Sequence, residues 1–199
     1  EGRFFLLFDS DVLHHLSIDT KRNREMPSGE DWERGEQLNM KEARRLTSGP
    51  FAGSVEHKYS YSAILADTPA YGWSGTKERY GVWMINPTME YLAGGPTKME
   101  LTGHLDVGDG GRPTLLNMWH GSHYGGTSLS LNQDEEWSKV IGPFAIYFNK
   151  DGPPSKLWYE AVQTAVKERR AWPYEWLVDE AYPPAAARGG VSGKLLVDS

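Results

Sequence analysis

Short apolar runs separated by turn-forming residues recur along the chain, which is the pattern of a β-rich protein. Three runs have the length of a buried strand: residues 3–8 (RFFLLF), 80–86 (YGVWMIN) and 140–148 (VIGPFAIYF). Residues 99–104 alternate between apolar and polar positions, and residues 115–119 lead into a glycine-rich turn. These patterns predict a mainly β fold.

Residues 55–65 (VEHKYSYSAIL) also alternate and are rich in aromatic and β-branched side chains. The alternation predicts that Lys58 projects from a strand, where its amino group could be held within hydrogen-bond reach of a substrate. The alternative is an ordinary surface lysine whose stem lies beside Tyr59.

Two other stretches depart from the strand pattern. Residues 19–53 are polar and predict a long surface excursion, in which residues 38–46 could form one or two helical turns. The charge run KEARR (41–45) within it is typical of a solvated face. From Ser155 to Pro173 the spacing becomes helical and predicts one amphipathic helix of about four turns, packed on the sheets. Its apolar positions are Leu157, Trp158, Ala161, Val162, Ala165 and Val166.

Composition narrows the possible partners. The formal charge of −6 argues against a nucleic-acid partner, because phosphates require a basic face. An acidic polysaccharide remains compatible, since a few well-placed Arg and Lys neutralise carboxylates locally. No apolar run approaches the roughly 20 residues that span a bilayer, so we expect no membrane partner. The absence of cysteine excludes disulfides and thiolate chemistry.

Residues 94–126 collect most of the candidate chemistry. The stretch 117–126 (NMWHGSHYGG) sets His120 and His123 beside Trp119 and Tyr124, with glycines around them. Aromatic rings and imidazoles on such a turn suit a polar, ring-shaped ligand such as a sugar. The alternative is a hairpin in which Trp119 and Tyr124 belong to the core.

Several chemistries are compatible with these residue types. His120 and His123, with His104 or His57, could bind a divalent metal, although no metalloprotease signature is present. Ser122 could be a nucleophile, and Asp106, Asp109, Glu90 and Glu100 offer possible carboxylate pairs. The best fit is a β-elimination on a uronate, in which Lys, Arg, Tyr and His supply the base, the acid and the cation without a cofactor.

Six ordered blocks carry a more specific signal: VEHKYSYS, GGPTKMELTGH, NMWHGSHYGG, VIGPFAIYF, AWPYEW and GVSGKLLV. Together they resemble the rhamnogalacturonan endolyases of polysaccharide lyase family 4, across essentially the whole chain. The resemblance implies an antiparallel β-sandwich of the galactose-mutarotase-like supersandwich type. It also implies cleavage of the rhamnose–galacturonate bond of rhamnogalacturonan I, a pectin component, by β-elimination.

The resemblance also implies roles for single residues. Lys58 matches the family's catalytic base, His123 matches its proton donor, and Arg3 matches the arginine that engages the uronate carboxylate. We add His120, Trp119 and Tyr124 as candidate substrate-binding neighbours. Two tyrosines that line the subsite in a fungal branch of the family fall on Leu116 and Met118 here. No metal and no cofactor is expected.

The resemblance finally predicts the domain organisation. We expect the chain to be a piece of a longer, secreted, extracellular protein that acts as a monomer on its polysaccharide. Residues 1–185 would be the C-terminal part of the catalytic β-sandwich domain. Residues 186–199 would be a linker and the first strand of a following fibronectin type III-like domain. A non-catalytic carbohydrate-binding β-sandwich module is the alternative function.

Overall fold

Antiparallel strands dominate the computed structural model, which describes residues 2–39, 42–93, 95, 97–106, 110–120, 124, 130, 132–194 and 196, without the side chain of His120. The strands in this part of the chain are β1 Gly2–Leu7, β2 His15–Ser17, β3 Asn23–Glu25, β4 Glu36–Gln37, β5 Ala43–Arg45, β6 Val55–His57, β7 Ser62–Ile64, β8 Ala70–Ser74, β9 Tyr80–Ile85, β10 Met99–Leu101, β11 Gly103–Leu105, β12 Pro113–His120 and β13 Ala145–Lys150. The α-helices are α1 Gly29–Arg34 and α2 Pro154–Ala171, and short 3-10 helices span Lys58–Tyr61, Leu65–Asp67 and Ala185–Ala187. The predicted mainly β fold with one long helix is confirmed.

Two sheets enclose the main core like a sandwich. The larger has the strand order β13-β9-β8-β2-β3, and the smaller has the order β1-β12-β11. Trp73 and Met84 from the larger sheet and Leu105 and Leu115 from the smaller belong to one buried cluster. This burial is the main favourable term for holding the two sheets together, because removal of apolar surface from water drives their association.

Helix α2 covers the other face of the larger sheet, as the helical spacing predicts. Its fully buried Leu157 and Ala161 pack against Trp83 and Ile85. Trp158 is partly buried there and donates from its indole nitrogen to the Ala70 carbonyl at 3.1 Å. Neither α2 nor any other helix in the described residues is long and apolar enough to cross a membrane.

The polar stretch 19–53 is not a surface excursion, and that prediction is wrong. It contains α1, whose first turn is capped by the Ser28 hydroxyl, which accepts a hydrogen bond from the Asp31 amide at 3.1 Å. The cap begins a helix that buries Trp32 in the main core, with 1% of the residue exposed. Met26, Ala43 and Leu46 of the same segment are buried as well, so a segment of polar average composition still contributes several apolar side chains to the interior.

The suggested helical turn within 38–46 is wrong as well. Ala43–Arg45 form β5, which lies between β4 and β6 in a small three-stranded sheet. Arg44 lies over the Trp32 ring at 5.4 Å and donates to the Trp32 carbonyl at 2.9 Å. The solvated-face prediction is therefore wrong for Arg44, whereas Arg45 is exposed and Lys41 lies outside the described residues.

Two of the three predicted buried strands are only partly buried. β9 is buried from Gly81 to Ile85, whereas β1 exposes 50% of Phe5 and β13 exposes 65% of Phe148. Both β1 and β13 lie at sheet edges, where neighbouring side chains cover one side less completely. The strand predicted at 191–197 does not appear in residues 191–194 or 196, and the rest lies outside the described residues. The domain boundary stays a prediction.

A buried polar network ties the two sheets of the sandwich together. Asn117 of β12 donates to the Asn86 side-chain oxygen at 3.1 Å and to the Tyr91 hydroxyl at 3.2 Å. Tyr91 donates to the same Asn86 oxygen at 2.5 Å, and Tyr71 of β8 donates to the Leu116 carbonyl at 2.8 Å. A satisfied network of this kind fixes the register of β12 against the larger sheet, because any slip would leave buried polar atoms unpaired.

Replacement of Asn117 by alanine should therefore destabilise the fold. We expect a loss of about 1–3 kcal/mol in the free energy of unfolding, because Asn86 and Tyr91 keep polar atoms that no longer have partners. Asn132→Ala, at an exposed position, is the matched control and should change stability by less than about 0.5 kcal/mol. Chemical denaturation measures both. Equal effects of the two substitutions would contradict the role given to the network.

Candidate functional site

A cavity of about 280 Å³ lies on the face of the smaller sheet that points away from the main core. Alternation along β12 creates it: Leu115 faces the core, while Thr114, Leu116 and Met118 face the cavity. The remaining lining residues described by the structure are Arg3, Phe5, Lys58, Leu101, His104 and Asp106. The cavity thus has an apolar floor with charged groups at its walls.

Lys58 reaches this cavity from a 3-10 helix and not from a strand, so the predicted strand setting is wrong. β6 ends at His57, and the helix Lys58–Tyr61 follows directly. The His57 ring nitrogen Nδ1 accepts a hydrogen bond from the Tyr59 amide at 3.1 Å and caps this helix. A side-chain acceptor at the right spacing satisfies a backbone donor that a strand ladder would otherwise have used.

Two arginines from the β2–β3 hairpin fix the helix that carries Lys58. Arg22 donates to the backbone carbonyls of Ser60, at 3.3 Å, and Ser62. Arg24 binds both the Glu56 carboxylate and the Tyr61 hydroxyl, and Tyr61 donates to Glu56 at 2.5 Å. These contacts, made by residues more than thirty positions away in sequence, hold the Lys58 backbone in place.

Arg3 enters the same cavity from β1. It pairs with Met118 in the register of β1 and β12, and its guanidinium lies 5.7 Å from the centre of the Phe5 ring. The cavity therefore brings together two of the sequence-predicted site residues, Arg3 and Lys58, which lie 55 positions apart (58 − 3). Leu116 and Met118 of β12 also line this cavity.

Glu42 is the direct partner of Lys58. The Lys58 amino group lies 2.6 Å from Glu42 Oε1, and the Lys58 amide donates to the Glu42 carbonyl at 3.1 Å. Partial burial opposes ionisation, but hydrogen bonds from Lys58 and Tyr59 lower the pKa of Glu42 overall. The hydrogen bond with Glu42, together with burial, raises the pKa of Tyr59 to about 12. Tyr59 is therefore a hydrogen-bond donor at neutral pH.

His104 forms a buried wall of the cavity, with 6% of the residue exposed. Burial lowers its pKa; a hydrogen bond to the Leu105 carbonyl opposes this effect, and the charge of Lys58 reinforces it. Nδ1 lies 2.8 Å from that carbonyl, which can only accept, so we assign the proton to Nδ1. His104 is thus both a core histidine and a cavity wall, the two alternatives that the sequence left open.

The two aromatic candidates, Tyr124 and Trp119, lie in different places. The Tyr124 hydroxyl is hydrogen-bonded to Ser62, and its ring meets Tyr59 edge-on at 5.9 Å, beside Leu116 and Met118. Trp119 instead stacks on Phe144 at 6.0 Å, away from the residues that line the cavity. The structure therefore brings Tyr124 close to the cavity and leaves Trp119 at the edge of the sandwich core.

The side chains of His120 and His123 both lie outside the part of the chain that the structure describes. His120 is the last residue of β12 and pairs with Gly2, and its side chain lies outside the described residues. His123, Ser122 and Asp109 lie outside them altogether. The roles of His120 and His123 stay predictions.

The described residues give little support to a metal site or to a catalytic carboxylate pair. Within the described ranges, no group of three or more His, Asp and Glu side chains could hold a metal ion. Glu90 is paired with Arg188 at 2.5 Å, and Glu100 is buried beside Lys98 at 3.0 Å. Both carboxylates thus already have cationic partners outside the cavity lining.

Comparisons with known proteins add no relative: no protein-family description matches the chain, and no curated protein matches it significantly.

Sequence reasoning missed Glu42, and the Arg22 and Arg24 contacts that fix the Lys58 helix. Glu42 stood in a charge run read as solvated, and nothing local marks it as the partner of a lysine sixteen positions later. Arg24 and Glu56 are likewise 32 positions apart. Such pairs exist only after the β-strands have brought distant segments together.

The buried His104 makes stability depend on pH. Its pKa is below the ordinary value of 6.5 in the folded chain, so the unfolded chain binds a proton first as the pH falls. The free energy of unfolding should therefore decrease as the pH is lowered through about 6.5. His15 has a pKa lowered by burial too, so the informative quantity is a difference between variants.

Denaturation of the wild type and of His104→Asn at a series of pH values checks this. Asparagine keeps a donor for the Leu105 carbonyl and does not titrate, so the variant should show a weaker loss of stability below about pH 6.5. An identical pH dependence in the two proteins would contradict the assignment.

Proposed function

We propose that the chain carries a polysaccharide lyase site that cleaves the rhamnose–galacturonate bond of rhamnogalacturonan I by β-elimination. The observation that supports the proposal most is the convergence of Arg3 and Lys58 on one cavity of about 280 Å³. The two residues come from separate segments of the chain, and the family resemblance points to both. A site that binds an acidic sugar and removes a proton needs a cation for the carboxylate and a base for the proton.

Each group has one task in the proposed reaction. Arg3 pairs with the uronate carboxylate and stabilises the negative charge that develops as C5 loses its proton. Lys58, as a neutral amine, takes that proton, so that the C5–H bond breaks and an N–H bond forms. The C4–O bond then breaks, a C4–C5 double bond forms, and the leaving oxygen takes a proton from His123. The role of His123 rests on the family resemblance alone.

One observation favours the alternative of a non-catalytic carbohydrate-binding module. Lys58 is held against the Glu42 carboxylate at 2.6 Å, and an ion-paired ammonium is a binding group until it gives up a proton. In a binding module Arg3 and Lys58 would both pair with carboxylates of the polymer. Binding would then occur without bond cleavage.

The deciding experiment follows the ultraviolet absorbance of the conjugated unsaturated uronate during incubation with rhamnogalacturonan I. We expect absorbance to rise with the wild type and the initial rate to fall about 10²–10⁴-fold in Lys58→Ala and in His123→Ala, because each removes a proton-transfer group. Lys77→Ala, at an exposed lysine (82% of the side chain) outside the cavity lining, is the matched control and should retain the full rate.

Calorimetric titration with the polymer completes the test. Arg3→Ala should weaken binding, because it removes the partner of the uronate carboxylate, whereas Lys58→Ala should retain most of it. A folded wild type that binds the polymer without producing the absorbance would overturn the lyase proposal and support the binding module.

A further inference from the structure

We propose that Glu42 is a positioning residue that acts through Lys58, holding its amino group at the cavity wall. This inference rests on the proposed lyase function. Glu42 contacts Lys58 twice: Oε1 lies 2.6 Å from Nζ, and the Glu42 carbonyl accepts from the Lys58 amide at 3.1 Å. One residue therefore fixes both the backbone origin and the charged end of the lysine.

Partial burial makes this pair different from a surface ion pair. The Lys58 side chain is 14% exposed and the Glu42 side chain 28%. Solvent and salt screen partly buried charges less than fully exposed ones. The amino group also lies 5.4 Å from the centre of the Tyr59 ring, and Tyr59 hydrogen-bonds to the same carboxylate. The ammonium is thus confined between a carboxylate and an aromatic ring.

The position of Glu42 is itself fixed by the fold. It directly precedes β5, and the buried Ala43 pairs with His57 immediately before Lys58. The Leu38 amide donates to the Ala43 carbonyl at 3.1 Å, which fixes the backbone next to Glu42. Glu42 directly precedes β5 and Lys58 directly follows β6, so the pairing of these two strands brings the carboxylate and the amino group together.

The pair can hold the amino group in both of its protonation states. The ammonium and the neutral amine both carry N–H donors, and Glu42 Oε1 accepts from Nζ at 2.6 Å. Lys58 must release one proton to solvent before it takes the C5 proton, and Glu42 keeps the amino group in place through that change. The other titratable or charged groups that face Lys58 are Tyr59 on its own helix, His104 on β11, Arg3 on β1, and Asp106 directly after β11.

Steady-state kinetics of Glu42→Gln tests the proposal. We expect kcat to fall about 10–100-fold, since loss of a positioning contact misplaces the base, while KM changes less than about twofold because the substrate carboxylate still binds Arg3. Glu42→Asp keeps the charge and should recover part of the lost kcat. Glu36→Gln, at an exposed carboxyl of the neighbouring β4, is the matched control and should have wild-type kinetics.

The split between kcat and KM, together with the recovery in Glu42→Asp, supplies a readout that a purely structural role would not move. A general loss of folding would lower the activity of both variants alike. An active wild type with unchanged kcat in Glu42→Gln would overturn the inference.

Competitive acylation of Lys58, quantified by mass spectrometry of its peptide, separates failure of this inference from failure of the lyase proposal. At one fixed pH the Lys58 amine should be labelled faster in Glu42→Gln than in the wild type, because the carboxylate no longer holds it, whether or not the chain cleaves the polymer. An unchanged labelling rate would overturn the positioning of Lys58 by Glu42. A faster rate in a chain without cleavage activity would overturn the lyase function alone.

Discussion

The structure depends on the two-residue period of β12. Leu115 and Asn117 point into the sandwich, where the leucine joins the apolar core and the asparagine satisfies Asn86 and Tyr91. Thr114, Leu116 and Met118 point the other way and line the cavity. A slip by one residue would exchange the two sets and bury unpaired polar groups. The interaction that fixes the fold therefore also decides which residues line the cavity.

Arginines and carboxylates hold the other side of the cavity. Apolar packing alone does not define the orientation of the short 3-10 helix that carries Lys58. Arg22, which donates to the Ser60 and Ser62 carbonyls, and Arg24, which binds Glu56 and Tyr61, define it. Hydrogen bonds to charged groups are stronger and more directional than neutral ones. The polar segment 19–53 thus supplies the frame that holds Lys58.

The cavity combines cationic and apolar side chains. Arg3 and Lys58 lie at it together with the apolar Leu116 and Met118. Glu42 holds the Lys58 amino group at 2.6 Å. Burial and the charge of Lys58 both lower the pKa of His104 on the same cavity.

The sequence by itself determined the elements whose signal is local. The strand at Tyr80–Ile85, the long helix at Pro154–Ala171 and the mainly β class follow from periodicity, which each segment carries alone. The resemblance also pointed to Arg3 and Lys58. Only the tertiary structure decided that Lys58 lies on a 3-10 helix, that the charge run around Arg44 packs on Trp32, and that Glu42 holds Lys58. Those outcomes depend on contacts between residues far apart in the chain, and such residues meet only after the intervening strands have paired.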